Sequence, residues 1–147
     1  LLDDKNFKPK APGMKYRHYA PKEPVFLLEG EAAEHLPLAV ERAVACGLKI
    51  GVLCDAAMSK KLPKHENILL SCWGDSREKL AAELFYLLRD FDRTKPDVIL
   101  AQGVSENGIG LAIMNRLRKA AGYQIITWEN GAFQIKNGKQ LPAFMIK

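Results

Sequence analysis

Cysteine is scarce in this 147-residue sequence, and long apolar runs are missing from it. The three cysteines, Cys46, Cys54 and Cys72, are odd in number and form no Cys-x-x-Cys pair, which argues against a disulfide framework and a structural zinc site. We expect small buried thiols in a reducing cytoplasm. No apolar run approaches the roughly 20 residues of a membrane span, and no secretory signal is visible, so the sequence predicts no membrane partner.

A complete catalytic constellation is also missing. The serines at 71, 76 and 105 lack the flanking pattern of a nucleophile elbow, and the three histidines are not at metal-ligand spacing. The carboxylates Asp55, Asp90 and Asp92 have no matched acid or base partner. Asp55 alone follows the carboxyl end of a predicted strand, where ligands bind in open α/β sheets. We therefore expect no catalytic residue and no metal site in this chain.

Basic residues outnumber acidic ones, and the formal net charge is +5. Lys60, Lys61, Lys64 and His65 form a small basic loop, and further cations load the first 22 residues. Such a cluster either assists phosphate binding or is a solvated face. The sequence has neither the aromatic and basic sheet of an RNA-recognition fold nor a recognition helix, so we expect no nucleic-acid interface of either kind.

Short apolar runs alternate with helical stripes along the middle of the chain. Four strands are predicted at 25–28, 48–53, 68–71 and 97–101, with helices after the first, third and fourth strands. Pro37 suits a first helical position, Asp75 is a predicted N-cap with Glu78, and Gly47 and Gly122 are helix stops. This alternation predicts an α/β fold, a small Rossmann-like three-layer arrangement with a mostly parallel sheet.

We divide the chain into three segments. Residues 1–24 are predicted to be an extended linker arm, and residues 25–122 the Rossmann-like domain. Residues 123–147 form a tail in which Asn130-Gly131 predicts a β-hairpin and the last six residues are expected to be frayed. Because the first residue is Leu and the opening resembles neither a start nor a targeting peptide, we expect a longer parent chain.

The stretch from Gln102 to Gly110 joins a predicted strand to a helix and is rich in glycine. Such turns bind phosphate in α/β folds, which makes a candidate ligand loop of Gly103, Ser105, Asn107, Gly108 and Gly110. No Walker lysine follows, and the first strand lacks the dinucleotide fingerprint. The alternative is that the glycines only permit a tight turn and close packing of the helix on the sheet.

Residues 11–21 read Ala-Pro-Gly-Met-Lys-Tyr-Arg-His-Tyr-Ala-Pro. Proline restricts its own φ and that of its predecessor, so this segment is predicted to be extended. Between the prolines lie two cations, two phenols and an imidazole, a composition unsuited to a core. The segment is either a solvated connector or a strip that lies across an anionic or flat surface.

This segment resembles the interdomain linker of the two-domain threonylcarbamoyl-AMP synthases, whose pattern is approximately Ser-Pro-Gly-Met-x-x-x-His-Tyr-x-Pro. Residues 84–92 and 108–117 resemble the body of the same family's C-terminal domain, and the matches cover about residues 11–122 in the expected order. Two departures stand out. Ala11 replaces the usual serine and loses its hydroxyl, and residues 127–147 have no counterpart in the family pattern.

The resemblance implies the function. The family's enzyme, a nucleotidyltransferase of tRNA threonylcarbamoyladenosine biosynthesis, condenses L-threonine, bicarbonate and ATP (with Mg²⁺) in the cytoplasm. Its catalytic half is a YrdC-like N-terminal domain, which this sequence lacks. The chain would then be an accessory C-terminal domain that needs no cofactor itself and is expected not to bind tRNA directly. Its linker would close the cleft of the catalytic domain in cis, through Lys15, Arg17, His18 and Tyr19.

Two other interpretations remain open. The chain is alternatively a nucleotide- or phosphate-binding Rossmann-like module that uses the glycine-rich loop. It is otherwise an interaction surface for self-association, since an arm without its docking partner is free to seek the groove of another molecule.

Overall fold

Six short strands alternate with helices along the part of the chain described by the computed structural model, residues 20–137 and 139–146. The strands are β1 (Val25–Leu28), β2 (Ile50–Cys54), β3 (Ile68–Cys72), β4 (Val98–Gln102), β5 (Ile125–Glu129) and β6 (Ala132–Ile135). The helices are α1 (Glu31–Glu34), α2 (Leu36–Ala45), α3 (Ala56–Ser59), α4 (Arg77–Arg89), α5 (Phe91–Thr94) and α6 (Gly110–Ala120), followed by a 3₁₀ turn (Ala143–Met145).

The strands form one sheet in the order β3-β2-β4-β1-β5-β6. The first five are mutually parallel, with Val25 opposite Ile99 and Ile50 opposite Val98, and β6 runs antiparallel to β5. The predicted α/β class with a mostly parallel sheet is therefore confirmed. The order departs from the usual dinucleotide-binding arrangement because β4 lies between β2 and β1.

Helices cover both faces of the sheet, which accounts for the continuous apolar runs of β1 and β2, both buried throughout. Residues of α1, α2 and α3 share one hydrophobic cluster with one set of strand side chains, including Leu28 and Val52. Residues of α4 and α6 share a second cluster with the alternate set, including Leu27 and Leu53. The result is the predicted three-layer arrangement.

The predicted hairpin is present. Asn130 and Gly131 connect β5 to β6 with φ of 54° and 73°. Two-residue hairpin turns of this hand need positive φ at both positions, which asparagine and glycine tolerate best. β5 also pairs in parallel with β1, so the chain after residue 122 continues the same sheet.

The end of the chain corrects one expectation. The last six residues were expected to be frayed, but Phe144 and Met145 are 8% and 1% exposed and belong to the cluster under α2. Arg42 on α2 also donates from Nη1 to the carbonyl oxygen of Met145 over 3.1 Å. A single 3₁₀ turn has no periodicity, which is why the sequence pattern missed this contact.

Two helix starts differ from the sequence prediction. The N-cap of α4 is Ser76 and not Asp75, since Ser76 has extended backbone and its Oγ accepts from the backbone N–H of Lys79 over 3.1 Å. Pro37 is the second residue of α2, where its missing N–H is equally harmless. The stop after α2 is as predicted, with Gly47 at φ 82°.

Only one cysteine is buried. Cys54 lies in the core, whereas Cys46 at the end of α2 and Cys72 at the end of the edge strand β3 are exposed, which corrects the expectation of three buried thiols. Within residues 20–137 and 139–146, no helix has both the length and the apolar character needed to cross a membrane.

Candidate functional site

The carboxyl edge of the sheet collects the polar residues that follow the parallel strands. Glu29 follows β1, Asp55 follows β2, and Gln102 ends β4. Because β4 lies between β2 and β1, the three residues occupy neighbouring positions along this edge. Ligands of open α/β sheets bind at such an edge, so it is the first candidate site.

Asp55 and Gln102 pair with each other across β2 and β4. The backbone N–H of Asp55 donates to Gln102 Oε1 over 2.8 Å, and Gln102 Nε2 donates to Asp55 Oδ2 over 3.2 Å. The other carboxylate oxygen accepts from the backbone N–H of Met58 over 2.7 Å, which caps α3. The Asp55 carboxylate therefore has a structural role. The sequence predicts only its position after the carboxyl end of a strand.

Glu29 and Arg118 form the second polar group at this edge. Arg118 Nε donates to Glu29 Oε2 over 2.8 Å and Nη2 to Oε1 over 3.3 Å, and Nη2 also contacts Glu106. The hydrogen bond to Glu29 raises the pKa of Arg118 above its usual value, with Glu106 adding to the effect and burial opposing it. The Glu29 side chain is 13% exposed, so this guanidinium is its main source of compensating charge.

The predicted ligand loop is assembled as one turn between β4 and α6. Gly103 and Gly110 are required by close approach, because an added Cβ would lie 2.6 Å from the Leu28 carbonyl oxygen and 1.7 Å from that of Ser105. Gly108 has φ of 57°, in the left-handed region that favours glycine. Packing and turn geometry thus account for these three glycines.

The centre of the loop is contacted by a side chain that the sequence analysis did not single out. Arg77, the first residue of α4, donates from Nη1 to the carbonyl oxygens of Ser105 and Asn107 over 3.0 and 2.9 Å. Phosphate-binding loops instead present backbone N–H groups to the anion. Several amides of this loop already have acceptors; for example, the N–H of Val104 donates to Met114 Sδ and that of Asn107 to Ser105 Oγ.

These contacts mean that the loop is organised around a cation of the protein itself. The prediction of a phosphate or ligand loop stays a prediction, to be tested by titration. No sequence pattern singles out Arg77, because its partners are backbone carbonyl oxygens about 30 residues away.

The predicted gating residues Lys15, Arg17, His18 and Tyr19 lie outside the described residues. The described chain enters β1 through residues 20–24, at the amino edge of the sheet. This entry point is opposite the edge that carries Glu29, Asp55 and the glycine-rich loop.

The basic loop noted in the sequence borders a cavity of about 370 Å³ beside the edge strand β3. Leu62, Ile68 and Leu70 give it apolar lining, and Lys60 and Lys64 give it a cationic rim beside His65. Across the described parts of the chain, no group of three or more His, Cys, Asp or Glu side chains is arranged to hold a metal ion.

Comparison with known protein families gives one match over most of the chain. The model described as "Threonylcarbamoyl-AMP synthase, C-terminal domain" matches residues 2–122. The threonylcarbamoyl-AMP synthase of Pyrococcus abyssi is 47% identical over 121 residues, which are 80% of this chain and 33% of that protein. The Bacillus subtilis synthase is 41% identical over 128 residues, with coverage of 85% and 36%. The chain thus spans about a third of the length of these curated relatives.

Solved structures agree with the sequence comparison. The crystal structure of P. abyssi Sua5 complexed with L-threonine matches with a TM-score of 0.63 and 42% identity, covering 84% of this chain and 35% of that one. A variant of P. abyssi Sua5, with a histidine and the tyrosine after it replaced by alanine, matches with a TM-score of 0.60 and 38% identity. That match covers 74% of this chain and 30% of the other.

Proposed function

Because this chain belongs to the family of threonylcarbamoyl-AMP synthase C-terminal domains, we propose that it is the accessory, non-catalytic domain of an L-threonylcarbamoyladenylate synthase. The parent enzyme would condense L-threonine, bicarbonate and ATP in a YrdC-like domain upstream in the same polypeptide. The length of the relatives supports this arrangement, since two thirds of each lies outside the match. L-Threonine as a ligand of the parent is supported by the P. abyssi complex.

The observation that carries the non-catalytic role is the internal pairing of the carboxyl edge. Asp55 is hydrogen-bonded to Gln102 and caps α3, and Glu29 forms an ion pair with Arg118. General acid–base chemistry needs a titratable group within reach of a substrate proton. Groups already joined to each other in this way support a role in holding the domain together.

The proposed mechanism is gating by the linker arm. Residues 1–24 would lie across the mouth of the catalytic cleft and exclude water when substrates are bound, which strengthens the electrostatic interactions inside. His18 and Tyr19 would contribute the closing surface, and Lys15 and Arg17 would lie near phosphate or acidic groups. His18-Tyr19 is the only His-Tyr pair in this sequence, and a histidine–tyrosine pair was the one replaced in the P. abyssi variant.

The test uses the full two-domain enzyme and an assay for threonylcarbamoyl-AMP and pyrophosphate. We expect Tyr19→Ala and His18→Ala to lower kcat about 10- to 100-fold, since a closing surface acts on water exclusion and positioning. Tyr86→Ala is the matched control, because Tyr86 is 76% exposed on α4 and far along the chain from the arm. Full activity from a catalytic half that lacks residues 1–147 would rule out the gating role.

A further inference from the structure

Two of the three cysteines are direct neighbours in the sheet. Cys54 ends β2 and Cys72 ends β3, and the two residues are register partners in a parallel pair. Register partners in adjacent strands project to the same face, with Cα atoms about 4.8 Å apart. This separation falls within the range of about 4.4–6.8 Å that a disulfide spans.

The two thiols have different surroundings. Cys72 is exposed, and its Sγ accepts from the backbone N–H of Gly74 over 3.5 Å. Cys54 is buried, and this burial raises the pKa of its thiol to about 12, with Cys72 and Asp55 adding to the effect. An oxidant from solvent therefore reaches Cys72 first, while Cys54 stays protonated beside it.

We propose that Cys54 and Cys72 are a peroxide-oxidised pair that forms a reversible intramolecular disulfide. The Cys72 thiolate attacks one oxygen of a hydroperoxide, so that Cys72 becomes a sulfenic acid and the peroxide is reduced, leaving as hydroxide or alcohol. The Cys54 sulfur then displaces the sulfenic oxygen. An S–S bond forms, the S–O bond breaks, and the oxygen leaves as water with the thiol proton.

Such a bond would fix β3 to the rest of the sheet at the candidate site. β3 is an edge strand with β2 as its one partner in the described sheet. The two strand ends are already joined by the Trp73 N–H, which donates to the Cys54 carbonyl oxygen over 3.0 Å. Asp55, which pairs with Gln102, follows Cys54 directly. Oxidation at this pair therefore acts on the same edge as the polar groups described above.

The experiment starts from the reduced 147-residue chain, freed of reductant and treated with hydrogen peroxide. Remaining thiols are alkylated, and peptides are mapped by mass spectrometry. We expect the native chain to yield a linked Cys54–Cys72 peptide that dithiothreitol separates. Cys46→Ser should behave in the same way, because Cys46 lies at the end of α2 and outside the pair.

Substitutions at Cys54 and Cys72 distinguish the cysteine that peroxide oxidises first from the cysteine that then forms the disulfide with it. Cys54→Ser should give oxidised Cys72, trapped by dimedone as the sulfenic acid, with no intramolecular link. Cys72→Ser should leave Cys54 reduced at the same peroxide concentration. Circular dichroism checks that each variant folds, and the result for the native chain depends on neither variant. Cys72 oxidised in the native chain without the linked peptide, or Cys46 in the link, would overturn the proposal.

Discussion

Arg118 on α6 and Glu29 after β1 are joined by a two-point ion pair, although 89 residues separate them in sequence. The pair connects the central strand to the helix after β4, beside the glycine-rich loop that carries Glu106. Both side chains are mostly buried, at 24% and 13% exposure. It is therefore an ion pair whose loss leaves a charge poorly solvated.

Arg118→Met is expected to lower the free energy of unfolding by about 1–3 kcal/mol, because Glu29 keeps its charge and retains only the exposed Lys136, whose Nζ lies 4.0 Å from Oε1. Urea denaturation followed by circular dichroism measures the change. Arg93→Met is the matched control, since its pair with Asp90 is 73% and 43% exposed and is expected to contribute less than about 0.5 kcal/mol. Equal effects of the two substitutions would contradict this account.

Gly110→Ala is expected to destabilise the protein by about 3 kcal/mol or more, because the added methyl group would overlap the Ser105 carbonyl oxygen. Gly108→Ala is the comparison. Its neighbourhood is open, with the nearest atom of Arg77 at 3.8 Å, so only the positive φ is penalised, at about 1 kcal/mol. Thermal melts of both variants show which substitution lowers the melting temperature more. A larger decrease for Gly108→Ala would contradict this prediction.

Alkaline pH should destabilise the folded chain through Cys54. Burial raises the pKa of this thiol from 9.0 to about 12, so the unfolded chain releases the proton at lower pH than the folded chain does. Stability from this group is fully present below pH 9 and is lost as the pH rises towards 12, by up to about 1.4 kcal/mol per pH unit.

The measurement is urea unfolding under reducing conditions at about pH 8 and pH 10. The native chain should lose about 1.4 kcal/mol more than Cys54→Ala between these values. Cys46→Ala, which removes an exposed thiol, should follow the native chain. If Cys54→Ala shows the native pH dependence, another group is responsible.

Met145→Ala is expected to cost about 2–4 kcal/mol, because the side chain is 1% exposed and packs in the cluster under α2. Ile146→Ala changes the neighbouring residue, which is 58% exposed, and should stay within about 0.5 kcal/mol of the native chain. Chemical denaturation distinguishes them. If neither substitution has an effect, the end of the chain does not contribute to the core.

The proposed accessory role predicts that the 147-residue chain binds no ATP of its own. Titration calorimetry with millimolar ATP and Mg²⁺ should give no binding heat, and the melting temperature should not change. The contacts of Arg77 with the loop carbonyls support this expectation. Saturable heat that Asn107→Ala removes would instead favour the nucleotide-binding module.

Local features of the fold could be predicted from the sequence. The run from Val25 to Leu28 predicts a buried strand because both faces of a central parallel strand are covered. Asn130-Gly131 predicts a hairpin because few other pairs accept two positive φ values. The cap of α4 was one residue off, since Asp75 and Ser76 are both favourable cap residues and only backbone geometry separates them.

Contacts distant in sequence could not be predicted in this way. The position of β4 between β2 and β1 depends on how the helices pack on each face, and no local signal states it. The Arg118–Glu29 pair and the Arg77 contacts need that strand order first. No local sequence pattern links residues that lie so far apart along the chain.

The central place of β1 has a mechanical consequence for a protein held by its upstream segment. The Ile99 N–H donates to the Pro24 carbonyl oxygen, and the Leu27 N–H donates to that of Gln124, so β1 is bonded to β4 from its start and to β5 from Leu27 onward. Tension applied through the residues before β1 would load the hydrogen bonds of β1 together, in shear. A pull on the edge strand β6 would instead break the β5–β6 hydrogen bonds one at a time. The domain would therefore move as a unit under a pull through the residues that precede β1.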